Sequence, residues 1–194
     1  MAVKKRKKTD TWKKKEKYTI YSPKSFEEKA VGITVADDEK KLIGRIYRCP
    51  LKEITNNLSH QFVKLTLRIK EVKGKSAYTQ LEGFELSEEY LRRNVRRRRS
   101  MVKLVKNAET KDGKKIRVTV YTFTARRIET SKKSAIRKIM EEFVENKAKE
   151  ENFDAFIQKC VFGTYAGELF KEVKKIVPIK RIEFGKCKLI SGRQ

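Results

Sequence analysis

Residues 61–84, QFVKLTLRIKEVKGKSAYTQLEGF, begin with a clear alternation of apolar and polar side chains. One face of this stretch holds Val63, Leu65, Leu67 and Ile69, and the other holds Lys64, Thr66, Arg68 and Lys70. A period of two residues is typical of a strand that buries one face, so we predict a half-buried antiparallel strand with a basic outer face. Gly74 predicts a hairpin turn into a paired strand that runs to Phe84.

A second hairpin is predicted over residues 101–127. Asp112 and Gly113 form a strong turn signal between strands near 101–109 and 115–127. One face of the later strand is apolar, and the other holds Arg117, Thr119, Tyr121 and Phe123. A basic and aromatic face can stack on single-stranded nucleic acid, but aromatic residues on strands are more often core. We expect core packing, because both faces of this strand can be covered.

Two helices have distinct sequence signals. The first is expected to begin after Ser87 and to end near Arg97, with Leu91 and Val95 facing the core. The longest is expected over 131–151, where the helical spacing forms an apolar stripe of Ile136, Ile139, Met140, Phe143 and Val144. Shorter strands or helices are expected from Tyr18 to the residue before Pro23, at 43–48, at 153–162, at 166–177 and at 179–184. Strands come first and helices late, which predicts an α+β fold.

The charge of the chain indicates a polyanionic partner. Lys and Arg number 50 against 25 Asp and Glu, which gives a formal net charge of +25. Solubility alone needs far less charge. Nucleic acid is favoured over an anionic membrane or an acidic protein, because the apolar residues are spread evenly as in a folded domain.

Residues 92–100, RRNVRRRRS, concentrate this charge. The arginines selected as RNA-binding candidates are Arg92, Arg96, Arg97, Arg98 and Arg99. Like charges at helical spacing repel, so this stretch opposes its own folding. We expect Arg98 and Arg99 to lie in a turn, since Arg98 would otherwise fall on the apolar stripe of the helix. Because the arginine side chain bonds phosphate in a bidentate manner and stacks on bases, an ordered contact with folded RNA is expected.

The N-terminal 17 residues form a second basic segment. It is expected to be a disordered tail that orders only against a polyanion, although a merely solubilising or localisation tail has the same composition. Trp12 can stack on a base or insert into a protein crevice. The candidate RNA-binding residues here are Lys4, Lys5, Arg6, Lys7, Lys8, Trp12, Lys13, Lys14 and Lys15.

The start of the long helix is a third candidate. Lys132 and Lys133 occupy its first turn, where the helix dipole disfavours cations. Free backbone N–H groups there, together with the hydroxyls of Thr130, Ser131 and Ser134, form a potential phosphate cradle. The basic residues Arg126 and Arg127 precede it, which favours this interpretation over solvated, inactive lysines.

Catalytic and metal-binding motifs are weak. Cys49, Cys160 and Cys187 form no CxxC pair, and His60 is the only histidine, so we expect buried free cysteines and no metal or cofactor. Paired acids at 37–38 and 141–142 leave a metal-dependent nuclease as an alternative, although a loop and a charged helix face explain them as well. The basic N-terminus is not followed by an apolar signal segment, so we expect a cytoplasmic protein.

Five ordered blocks resemble one known family. They are YTIYSPKSF (18–26), VADDEKKLIGR (35–45), VKGKSAYTQLEGFELSEEYLRRNVRRRRS (72–100), TKDGKKIRVTVYTFTARRIETSKKSAIRKIM (110–140) and CVFGTYAGELFKEVKKIVPIKRIEFGKCKLI (160–190). Their order and spacing are similar to the eS-one, or S-three-a-e, family of archaeal and eukaryotic small-subunit ribosomal proteins. Lys17 stands where that family often has tryptophan before the first block. The chain ends soon after the last block, which indicates an archaeal-like short form.

The resemblance implies a β-barrel-like antiparallel core flanked by helices, with one domain over 18–190, a basic tail over 1–17 and a short tail over 191–194. It implies a structural RNA-binding protein, not an enzyme, on the platform of the small subunit near the mRNA exit and the rRNA 3′ end. The expected partners are small-subunit rRNA, neighbouring ribosomal proteins and mRNA near the exit, with no membrane or small-molecule substrate. A free RNA-binding regulator or chaperone is the alternative. The basic residues that match the family blocks are Arg92, Arg96, Arg97, Arg98, Arg99, Arg126, Arg127, Arg137 and Lys138.

Overall fold

The 61–84 hairpin forms two of the longest strands in the computed structural model, which describes residue 12 and residues 14–190. The strands are β1 (Glu16–Tyr21), β2 (Ala30–Ala36), β3 (Ile46–Pro50), β4 (Val63–Lys73), β5 (Ser76–Leu86), β6 (Met101–Glu109), β7 (Lys115–Thr124) and β8 (Ile179–Leu189). The helices are α1 (Lys52–Thr55), α2 (Glu88–Asn94), α3 (Thr130–Glu150), α4 (Phe153–Val161) and α5 (Thr164–Lys174). The α+β class predicted from the sequence is confirmed.

The predicted alternation of β4 is confirmed. Its apolar face is buried, with Val63, Leu65, Leu67 and Ile69 in the core, while Lys64 and Lys70 are exposed. Strand β4 pairs with β5 in antiparallel register along nearly its whole length. Gly74 makes the turn with a φ of +57°, a value that glycine adopts without the penalty of a side chain.

The sheet branches at β5. One edge of β5 pairs with β4, while the other pairs with β1 near its start, at Ser76–Tyr78, and with β8 near its end, at Gly83–Glu85. The strand order β2-β1-β5-β8-β7-β6 follows, with β3 beyond β4. The β1–β5 pair is parallel and the other pairs are antiparallel.

The expected barrel-like closure is not complete. Strands β2 and β3 approach each other without forming a ladder, and side chains of the β3 segment bridge the gap. Arg45 Nη1 donates to Thr34 Oγ1 at 2.8 Å and to the Val35 carbonyl at 3.2 Å. Tyr47 packs against Gly32, where a Cβ atom would lie 2.2 Å from the Tyr47 hydroxyl oxygen. The eight-stranded sheet therefore stays open at this edge.

Two apolar cores form around the sheet. The larger one lies between the sheet and the helices, with α3 packed on β6 and α5 packed on β8. The smaller one lies inside the curled N-terminal strands and contains Tyr18, Ile20, Ala36, Leu42, Ile69 and Ala77. Cys49, Cys160 and Cys187 are buried and free, as predicted. Phe123 is also buried, which confirms the prediction of core packing for this aromatic residue of β7, whereas Tyr121 is only partly buried.

Several boundaries differ from the sequence predictions. Strand β1 begins at Glu16, so it includes two residues that were assigned to the basic tail. Strand β3 lies three residues later than expected, β7 ends at Thr124, and β8 continues to Leu189. Strand β2 and the four-residue helix α1 were not predicted, although Val31, Ile33 and Val35 of β2 do alternate with Gly32 and Thr34.

Helix α2 is shorter than predicted. It ends at Asn94, and Val95 is extended and 52% exposed, so the prediction that Val95 faces the core is wrong. Continuing the helix would stack Arg96 and Arg97 one turn beyond Arg92 and Arg93, which like-charge repulsion disfavours. The predicted turn is present at Arg98, which has a left-handed φ of +60°, but it covers Arg97 and Arg98, and Arg99 follows it.

None of the described helices combines the length and the apolar character that a membrane crossing needs.

Candidate nucleic-acid interface

The loop between α2 and β6, residues 95–100, presents most of the arginine cluster. Arg96, Arg97 and Arg98 are exposed and Arg99 is partly buried. The left-handed backbone of Arg98 costs about 1 kcal/mol or more relative to an ordinary conformation, so the surrounding structure has to impose it.

A buried Ser–Thr pair fixes the end of this loop. The Ser100 N–H donates to Thr124 Oγ1 at 2.9 Å, and the Thr124 N–H donates to the Ser100 carbonyl at 3.0 Å. The Ser100 hydroxyl oxygen accepts from the Ile128 N–H at 3.2 Å. Since both side chains are buried, these bonds hold the segment with Arg126 and Arg127 beside the arginine loop.

The start of β8 joins the same surface. The Ala125 N–H donates to the Pro178 carbonyl at 3.0 Å, which brings Lys180 near the two arginine segments. The positive charge of Arg99, followed by burial and the charges of Arg96 and Arg181, lowers the pKa of Lys180. We call the cations of these three segments the arginine surface: Arg96, Arg97, Arg98, Arg99, Arg126, Arg127 and Lys180.

Within the described part of the chain, the cations of the arginine surface form no ion pair. The Nη1 atom of Arg99 is shielded from solvent and has no hydrogen-bond acceptor there. A shielded guanidinium donor without an acceptor is costly, so this atom favours an acceptor from outside the described chain. By contrast Arg92 is paired with Glu88 at 3.2 Å, and Arg181 with Glu183 at 2.8 Å. The structure therefore places Arg92 near the arginine surface, but its guanidinium group is already paired with the carboxylate of Glu88.

Lys180 and Arg181 were not selected from the sequence. Their signal was the Lys-Arg pair in the segment that was interpreted only as a short strand. Arg93 was also omitted from the candidates, although it is exposed on α2 next to Arg92. Two adjacent basic residues at the start of a strand do not by themselves indicate an RNA-binding site. Their surroundings are known only when the neighbouring strands are paired.

The N-terminus of α3 keeps part of the expected phosphate cradle. Its first turn contains no acidic residue, and Glu129 at the N-cap makes no side-chain hydrogen bond to the helix. The hydroxyl of Ser134 donates to the Thr130 carbonyl at 3.2 Å and is therefore used within the helix. Ser131 and Lys132 are exposed and Lys133 is partly buried. Arg137 and Lys138 are exposed one turn later, so their contact with RNA stays a prediction.

Most of the N-terminal candidates, Lys4, Lys5, Arg6, Lys7, Lys8 and Lys13, lie outside the described residues. Trp12 is 68% exposed, and the Nζ of Lys15 lies 4.3 Å from the centroid of its ring. Lys14 is exposed. The RNA contacts of this segment also stay a prediction.

The residues that suggested a nuclease have other contacts. Asp37 and Asp38 both pair with Lys41, at 3.4 and 3.3 Å, and Glu141 pairs with Lys106. Across residue 12 and residues 14–190, no three His, Cys, Asp or Glu side chains are grouped as metal ligands. The Nδ1 atom of His60 lies 3.0 Å from the hydroxyl of Thr55, and its ring contacts Phe162 edge-on.

Comparison with known proteins adds independent information. The family model described as the Ribosomal S3Ae family matches residues 3–192. A relative from Aeropyrum pernix, named small ribosomal subunit protein eS1, is 42% identical over 185 residues, which cover 93% of this chain and 86% of that protein. A relative of the same name from Archaeoglobus fulgidus is 41% identical, with 94% and 87% covered. The match over nearly the whole chain shows that it belongs to the Ribosomal S3Ae family.

Proposed function

We propose that this chain is a structural component of the small ribosomal subunit and binds rRNA through the arginine surface. The names of its relatives and the family membership support a structural role, not an enzymatic one. The finer placement follows the resemblance: the platform, near the mRNA exit and the 3′ end of the rRNA. The proposed partners are rRNA, neighbouring small-subunit proteins and mRNA near the exit, in the cytoplasm and during translation.

One observation carries the proposal for the RNA-binding surface. Three segments that are distant in sequence place their cations together, and the described residues give these cations no carboxylate partner and Arg99 Nη1, which is shielded from solvent, no acceptor. Such an arrangement raises the free energy of the isolated chain through repulsion and desolvation. Phosphate oxygens relieve both costs, because arginine donates two parallel hydrogen bonds to a phosphate group.

Candidates outside the arginine surface are included as secondary contacts. The first turn of α3 offers exposed N–H groups together with Ser131, Lys132 and Lys133. Backbone donors at a helix N-terminus favour phosphate, and the basic side chains add to that preference. Arg92, Arg137, Lys138 and the basic N-terminal segment would extend the contact over neighbouring RNA.

Co-sedimentation with small ribosomal subunits tests the proposal. The purified chain is added to subunits from which the corresponding protein has been stripped, and gradients are run at moderate and at high salt. We expect the chain to sediment with the subunit at moderate salt and to be released at high salt, because phosphate contacts are lost as counterions compete. Recovery in the light fractions at both salt concentrations would contradict the proposal and support a free RNA-binding regulator or chaperone.

A further inference from the structure

An open cleft of about 410 Å³ lies between α5, α2 and the start of β8. Two aromatic pairs line it. The rings of Phe62 and Tyr90 stack with centroids 4.9 Å apart, and His60 contacts Phe162 with centroids 5.8 Å apart. Phe162 is 51% exposed, so this apolar wall is open to a ligand. The volume lies within the range that proteins use for small ligands.

A carboxylate lies among these apolar walls. The Oε1 atom of Glu183 accepts from the Tyr90 hydroxyl at 2.9 Å and from Arg181 Nε at 2.8 Å. The Glu183 side chain is only 20% exposed, and its burial raises the pKa of the carboxyl group. Its other oxygen, Oε2, has no hydrogen bond from a described residue, so it can accept one from a ligand.

The cleft is next to the arginine surface. Lys180 and Arg181 line it, and Lys180 is the residue whose pKa is lowered by Arg99 and Arg96. A polyanion held by the arginine surface therefore passes the mouth of the cleft. The cleft combines aromatic walls, an acceptor and a cationic rim.

We propose that this cleft receives a single unstacked base of the RNA bound to the arginine surface. The inference rests on the proposed function and names the part of the RNA that this cleft holds. Aromatic side chains stack on a base of any sequence, Glu183 accepts from an N–H group on its edge, and Lys180 contacts the adjoining phosphate. An apolar side chain of a protein neighbour would fill the volume but would leave the acceptor and the cations unused.

Gly167 gives a way to fill the cleft without changing charge. It lies on α5 in the row Gly163, Ala166, Gly167 and Phe170 that lines the cleft. A Cβ atom at this position would have no heavy atom within 4 Å, and the backbone is helical. Leucine should therefore fit the helix and extend into the open space, while Gly167→Ala is the matched control that leaves the cleft open.

The experiment uses two RNA hairpins that carry the same phosphates. One has a single bulged adenosine, and the other has an abasic residue at the bulge. We expect the full chain to bind the adenosine hairpin at least about fivefold more tightly than the abasic one, because stacking of a base on aromatic side chains contributes that much affinity. Gly167→Leu should reduce this ratio to near one without weakening the abasic complex, and Gly167→Ala should retain the ratio.

Two results would overturn the inference: a ratio near one for the original chain, or a ratio that Gly167→Leu leaves unchanged. A thermal melt of each variant shows that it is folded before its binding is compared. Failure of the proposed function is distinct, because neither hairpin would then bind at moderate salt. Replacing Arg96 and Arg99 by alanine should weaken both complexes and keep the ratio.

Discussion

The cations of the arginine surface and those on the acidic side of α3 differ in whether they form ion pairs within the fold. On the acidic side, Lys106 of β6 contacts both Glu141 and Glu145, and Lys147 contacts Glu150 and Glu168 at 3.3 and 3.5 Å. On the arginine surface, the described residues supply no carboxylate partner to any of the seven cations. The difference teaches that the first set of cations is paired within the fold, whereas the second set has no carboxylate partner among the described residues and is available for the proposed phosphate contacts.

Helix α3 connects the two regions and departs from the usual order of charges at its N-terminus. Its first turn holds Lys132 and Lys133 and no acid, whereas Glu141, Glu142 and Glu145 occupy its middle turns. The dipole disfavours cations at a helix N-terminus by about 0.3–1 kcal/mol each at exposed positions. The N-terminal end of α3 therefore favours phosphate and its middle turns do not, which agrees with the proposed position of the RNA.

The largest expected effect comes from the arginine surface itself. Replacing Arg96, Arg97 and Arg99 together by alanine should weaken RNA binding on the order of a hundredfold at 0.1 M salt, if each contacts one phosphate. The slope of log affinity against log salt should fall by about two to three. The fold should remain intact or become slightly more stable, because repulsion is relieved. A salt series of binding isotherms and a thermal melt measure the two effects.

Lys147→Ala is the matched control for the triple variant. It removes a cation that already has carboxylate partners, so RNA affinity should hardly change while Tm falls slightly. If the triple arginine variant instead loses several degrees in Tm, those arginines hold the fold together and the contrast between the two regions is wrong.

Lys180→Ala should also weaken RNA binding, but less than the triple arginine variant does. One phosphate contact is worth about fivefold in affinity at 0.1 M salt, and the salt slope should fall by about 0.7–0.9. Because the charges of Arg99 and Arg96 oppose the protonated form of Lys180, alanine should leave Tm unchanged or raise it. A marked fall in Tm, with no change in the salt slope, would place Lys180 among the structural cations instead.

The smallest expected effect is a pH dependence of stability that comes from the ion pairs of Lys106 on the acidic side of α3. The hydrogen bond from Lys106 lowers the pKa of Glu145 below 4.5, and Glu141 raises the pKa of Lys106 above 10.5. The stabilisation is therefore complete between these ordinary values. As pH falls below 4.5, Glu145 takes up a proton more readily in the unfolded state than in the folded state, so the stabilisation is lost progressively down to the lowered pKa. Melts of the original chain and of Lys106→Ala should differ at pH 7, and the difference in Tm should shrink as pH falls below 4.5. A difference that grows on acidification would exclude this pair as its cause.

The parts of the fold that sequence predicted well have strong local patterns. The alternation from Val63 to Ile69 and the helical stripe from Ile136 to Val144 both appear as buried faces. Strand β2 was missed although Val31, Ile33 and Val35 alternate in it, because Gly32 is a residue uncommon in strands, and the reason for a glycine there is the close packing of Tyr47. Such a position depends on a neighbour that is distant in sequence.

The candidate site was predicted residue by residue but not as a surface. The clusters at 92–99 and 126–127 were found from charge alone, whereas Lys180 was found only once β6, β7 and β8 were paired. The cleft had no sequence signal at all, because Phe62, Tyr90 and Glu183 come from the turn before β4, from α2 and from β8.

By itself, the sequence determined the charge, the central hairpin, the long helix and the resemblance to one family, because these depend on composition and short-range periodicity. Only the tertiary structure decided which cations are paired with carboxylates. Lys106 and Glu141 are 35 residues apart, and packing of α3 on β6 brings them into contact. Ion pairing depends on which carboxylates the fold places within about 4 Å, and the described fold places none beside the arginine surface.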